Sequence, residues 1–143
     1  MGNETTLDEL AEWEGLYRIR NYVVGSMTIL KVAGKEVTTG STPIYLDELN
    51  GEKFRFVSKV LLPENKEILL GLRFTISEKV LDFKATIKGV RINEKKKRYT
   101  YLVGLVMQDD KEIMNVLSFV NKIQLANKQK KLRNVTLTAI EVE

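Results

Sequence analysis

The 143-residue chain contains no cysteine and no histidine. The first absence excludes disulfides and thiol chemistry and fits a reducing compartment. The two absences together remove the usual zinc ligands and the Ser-His and Cys-His nucleophile pairs. No pair of carboxylates stands at a spacing that acid–base chemistry requires, so an enzyme is not expected. No apolar run approaches the roughly 20 residues that span a bilayer. The first ten residues, MGNETTLDEL, are acidic and lack the apolar stretch of a signal peptide. The expectation is therefore a cytoplasmic protein without metal, cofactor or membrane span.

What is present is enough for one real core: 43% of residues are apolar, in a length typical of a single domain. The net charge of +4 is unevenly spread. Residues 1–16 carry Glu4, Asp8, Glu9, Glu12 and Glu14 and no basic side chain, whereas EKKKR at 94–98 and KIQLANKQKKLR at 122–133 are basic. Such patches attract anions or nucleic acid, or are simply solvated lysines.

Hydrophobic periodicity predicts a mainly β protein. A helix is expected over residues 6–20, with Thr6 and Glu9 as a capping box and Leu7, Leu10, Ala11 and Trp13 as its apolar face. Strands follow over 22–32, from 42 to 46, over 53–62, 67–76, 80–92 and 98–107, joined by short polar turns. In the fourth of these Ile68, Leu70, Leu72, Phe74 and Ile76 share one face, and the fifth changes phase at Gly89, as a β-bulge would make it do. Asp109 and Glu112 then open a helix with Ile113, Val116, Leu117, Val120 and Ile123 as one apolar stripe. The order implies an antiparallel barrel of six to seven strands with a helix on each side. Its organisation is an N-terminal helix and arginine-bearing segment (1–21), a barrel with closing helix (22–125), and a basic segment that can end in a late edge strand (126–143).

Two places carry candidate binding chemistry. Arg18 and Arg20, at i and i+2 on an extended chain, point the same way and can grip a phosphate or carboxylate. The segment Asp47-Glu48-Leu49-Asn50-Gly51-Glu52 reads as a tight acidic turn built on Asn-Gly, between strands that end in Leu46 and begin at Lys53. A different class of function would use Tyr99 and Tyr101 beside lysines 95–97 as a platform for RNA or single-stranded DNA. Those tyrosines fall in phase with Val103 and Leu105, which assigns them to the core and makes nucleic acid an unfavoured partner.

The order of elements resembles the PilZ domain family, bacterial receptors for the second messenger cyclic di-GMP. The resemblance covers residues 17–125 and is carried by 17–21 before the first strand, MTILKVAG at 27–34, the segment 44–63 and YTYLVGLV at 99–106. In that family two arginines spaced RxxxR precede the barrel, and a D/N-x-S-x-x-G motif lies on a turn between two strands. Here the arginines stand as RxR, Arg18 and Arg20. Aligned back from Phe54-Arg55-Phe56, Glu48 takes the acidic position, Asn50 the serine position and Lys53 the glycine position. Shifting by one gives Asp47, Leu49 and Glu52. The resemblance implies a split β-barrel that holds cyclic di-GMP between Arg18, Arg20 and the Glu48–Lys53 turn. Alternatively, it implies a relative that has lost the nucleotide and acts on a protein partner in motility or envelope regulation. Three carboxylates at the turn disfavour an anion, and a side chain at the glycine position is costly if the backbone there is left-handed. Both a monomer and a homodimer are compatible with the sequence.

Overall fold

The computed structural model describes Trp13 and residues 15–63 and 66–129. Among these residues, seven antiparallel strands are followed by one helix: β1 (Tyr17–Val32), β2 (Lys35–Glu36), β3 (Thr42–Leu49), β4 (Lys53–Ser58), β5 (Ile68–Ile76), β6 (Lys79–Asn93), β7 (Arg98–Val106) and α1 (Asp110–Gln129). The sheet runs β2-β1-β3-β4-β7-β6-β5, and β1 also pairs with β5, so six strands close into a ring. Among the described strands, closure leaves only the two-residue β2 outside the ring.

The long first strand makes closure possible. Its first half pairs with β3 (Tyr17 opposite Leu49, Gly25 opposite Ile44) and its second half with β5 (Gly25 opposite Phe74, Val32 opposite Ile68). Gly25 sits where the two pairings overlap. A Cβ there would lie 2.4 Å from the Phe74 ring and 2.6 Å from the Arg73 carbonyl, so the crossing admits no side chain. Tight turns set the other registers. Ala33-Gly34 and Ser77-Glu78 both have two positive φ angles (51° and 81°, 52° and 67°), the geometry whose twist matches a two-residue hairpin.

Inward alternation fills the ring. Phe54, Phe74 and Phe83 meet in the lumen, and α1 lays Phe119 onto them, with ring centroids 5.2–6.3 Å apart. These are edge-on and tilted contacts of the kind aromatic quadrupoles favour. The helix starts as its sequence dictates. The Asp109 carboxylate accepts from the Glu112 amide at 2.8 Å, and the Glu112 carboxylate accepts from the Gln108 amide at 2.6 Å.

Several boundaries differ from the sequence expectation. Residues 17–20 belong to β1, not to a helix, and Gly15, at φ 81°, stands just before that strand. Residues 6–12 and 14 of the expected N-terminal helix lie outside the described residues, as does the expected edge strand at 134–142. Strand β3 extends through Asp47 and Glu48 to Leu49, which leaves only residues 50–52 as the turn. The register of β6 against β7 shifts between Ile87 and Gly89, where the phase change placed a bulge. On α1 the buried apolar residues are Val116, Phe119, Val120, Ile123 and Ala126, while Ile113 and Leu117 are exposed. The helix is rotated toward Phe119 because that ring completes the lumen cluster.

Candidate functional site

The hairpin β3–β4 and the start of β1 bring four of the five expected residues together. Pairing places Arg18 opposite Glu48 across β1–β3, and Glu48 opposite Arg55 across β3–β4. All three side chains leave the same side of the sheet, because the alternate positions Ile19, Leu49, Phe54 and Phe56 point into the core. The Glu48 carboxylate, only 12% exposed, therefore sits between two guanidinium groups, 3.1 Å from Arg18 and 3.4 Å from Arg55. Arg55 also holds Asp47 in a two-pronged contact, Nε to Oδ1 at 3.1 Å and Nη2 to Oδ2 at 3.0 Å. The result is a cluster of two cations and two carboxylates.

Its electrostatics follow from partial burial. Loss of water raises the Asp47 carboxyl above its ordinary value, although the hydrogen bond and charge of Arg55 pull it down. Burial works against the Arg55 charge, but the hydrogen bond and charge of Asp47, and then the charge of Glu48, raise its pKa. Arg55 is thus the electrostatic centre of the site, and the sequence reading did not single it out. The signal was available: an Asn-Gly turn at 50–51 places residue 55 across from residue 48.

Asn50 and Lys53 are positioned by the turn itself. The Asn50 side-chain oxygen accepts from the amides of Glu52 (2.7 Å) and Lys53 (2.8 Å), and its amide nitrogen donates to the Gly15 carbonyl at 3.3 Å. Asn50 is thereby committed to holding the turn and the N-terminal segment. Lys53 opens β4 and does not have a positive φ, so the position needs no glycine for backbone reasons. Arg20 projects outward two residues beyond Arg18. Its backbone amide donates to the buried Asn127 of α1 at 2.9 Å, and Asn127 in turn donates to the Tyr17 hydroxyl at 2.6 Å. The Arg20 side chain makes no ion pair among the described residues. Ahead of β1, Trp13 lies beside Gly89, with the Arg91 guanidinium 4.0 Å above its ring.

Chemically, an anion entering between Arg18 and Arg20 would have to displace Glu48 from Arg18 and face Asp47 beside it. A cavity among the described residues lies elsewhere. A pocket of about 450 Å³ lies on the β1, β5 and β6 side, with Thr28, Gly71, Arg73, Asp82, Lys84 and Asn115 in its wall, and none of the five expected residues lines it. Arg73 there is already paired to Asp82 at 2.7 Å. The tyrosines of the nucleic-acid reading are buried, Tyr101 at 1% exposure. Its hydroxyl accepts from the Leu62 amide and donates to the Val60 carbonyl, each at 2.8 Å. No group of three or more potential metal ligands and no helix long and apolar enough to cross a membrane occurs among the described residues.

Neither a protein-family model nor a curated protein matches the sequence. The fold is similar to the solved structure of the Bacillus subtilis inhibitor of motility (MotI/DgrA), with a TM-score of 0.52 and 11% identity. The match covers 80% of this chain and 53% of the other, so the chain spans about half the length of that neighbour. At this identity the likeness shows a shared β-barrel fold.

Proposed function

We propose that this chain is a PilZ-like, non-enzymatic regulatory domain that acts through protein contacts, and that its nucleotide face is closed by its own side chains. The carrying observation is Glu48, held between Arg18 and Arg55 where the family resemblance would put a cyclic di-GMP site. The fold shared with a protein named as an inhibitor of motility supports a regulatory role and suggests motility as its setting. Arg18, one of the two arginines that would hold phosphates, is matched by a carboxylate, and the Asn50 oxygen that would meet a base is used twice within the turn. Both are arrangements of a maintained scaffold.

The test is calorimetric titration of the full chain with cyclic di-GMP, beside an Arg18→Ala, Arg20→Ala double variant. The reading expects no saturable heat at about 100 µM ligand in either protein, weaker than the micromolar range of a working receptor. Micromolar binding that disappears in the double variant would overturn it and make the chain a cyclic di-GMP receptor.

A further inference from the structure

Helix α1 has a second apolar row that the barrel leaves largely exposed, with Leu117 beside Gly51 of the β3–β4 turn. Beside the buried arc of Val116, Phe119, Val120 and Ile123 stand Ile113 (39% exposed), Leu117 (47%), Met114 (62%) and Leu125 (56%). Positions 113, 117, 121 and 125 follow one another at four-residue intervals and so line one side of the helix. An acid, Asp110, opens this side and a base, Lys128, ends it.

Reversed about residue 119, the row sets acid against base and apolar against apolar at its ends, and apolar against amide between them. Asp110 exchanges with Lys128, Ile113 with Leu125, Met114 with Gln124, and Leu117 with Asn121. Two copies packed antiparallel along this face would place Asp110 against Lys128 at both ends and Ile113 against Leu125 inside each end. Parallel packing would oppose acid to acid and base to base. A twofold axis requires a self-complementary patch, and the two ends of this row make one. We propose that α1 is a homodimerisation surface, on which a second copy of this chain docks antiparallel with the axis passing near residue 119. The inference is independent of the nucleotide reading, since it uses none of the cluster residues. One helical strip buries less than a standard interface, so association is weak and calls for work at about 100 µM protein. The end charges set orientation more than affinity.

The absence of cysteine makes a direct test available. Ile113→Cys and Leu125→Cys each place a single thiol at an exposed site. In the antiparallel dimer residue 113 of one copy meets residue 125 of the other, while like residues lie about 18 Å apart along the axis, beyond disulfide reach. Oxidation of the mixed proteins should give a disulfide-linked dimer, and oxidation of either protein alone should not. Lys128→Asp in both partners should lower the linked fraction about fivefold, and adding Asp110→Lys should restore it. Circular dichroism and a thermal melt establish that each variant is folded. Absence of the mixed product would overturn the proposal and leave the face to a different protein. Equal linking in the single-variant samples would overturn it too, by showing contact without this register.

Discussion

Arg55 is the residue whose removal best exposes how the β3–β4 face is held. In Arg55→Ala, Asp47 loses its two-pronged partner and Glu48 loses one of its two cations, leaving adjacent carboxylates that are 29% and 12% exposed. Breaking a fully buried pair costs about 3–5 kcal/mol and an exposed one less than about 1 kcal/mol. With Arg55 at 19% exposure and water reaching one side, we expect a loss of about 2 kcal/mol. That corresponds to a fall in Tm of roughly 8 °C for a domain of this size. Asp47→Asn should cost less than about 1 kcal/mol, because Arg55 keeps Glu48 and a poorly solvated charge is removed. The two variants also differ in pH response. Burial holds the Asp47 carboxyl above its ordinary value. The folded chain then binds that proton more tightly than the unfolded chain does, so stability from this group grows as pH falls through the folded value and is lost above it. Deleting Arg55 removes the influences that lower the Asp47 value and raises it further. The deficit of Arg55→Ala should therefore shrink between about pH 7 and about pH 5. Urea denaturation followed by circular dichroism at both pH values measures all of this. An equal cost for Asp47→Asn, or a deficit that does not change with pH, would refute the reasoning.

Two further outcomes follow from the fold. Tyr101→Phe removes the hydroxyl that ties residues 60 and 62 to the barrel and leaves the buried Leu62 amide without that acceptor. It should cost about 1–2 kcal/mol and speed hydrogen exchange at residues 60–62 with little change in α1, whereas uniform loss of protection would refute a local role. Glu78→Gly relieves a left-handed backbone angle of 67° in the β5–β6 turn, and we expect a gain of about 1 kcal/mol in urea denaturation, with no gain or a loss counting against the turn assignment.

Much of this barrel was legible because alternation and turn chemistry are local. Ile68 to Ile76 alternates buried with half-buried or exposed, as its sequence alternates, and the Gly89 phase change is a true register shift. Asp109 and Glu112 opened the helix at the expected residue. The failures were non-local. Apolar spacing put Ile113 and Leu117 on the buried side of α1 and left Phe119 out, whereas the ring cluster inside the barrel buries Phe119 and leaves those two exposed. Acidic character made Asp47 and Glu48 read as turn, whereas Arg18 on one neighbouring strand and Arg55 on the other neutralise them and let β3 continue. The same blindness applied to the site. Residues 18, 48, 50 and 53 were placed in one region, but that Arg55 is its centre and that Asn50 is consumed by the turn are facts of strand pairing.

The central claim is that Arg18 and Arg55 answer to the chain's own carboxylates. It is tested most directly by following the side-chain Nε–H resonances of Arg18 and Arg55 by NMR during titration with cyclic di-GMP. Both resonances should stay where they are at every ligand concentration, while Glu48→Gln should move both without ligand. A saturable shift of Arg18 on adding the nucleotide to the unmodified chain would show that Glu48 yields its partner to a phosphate, and would contradict the account.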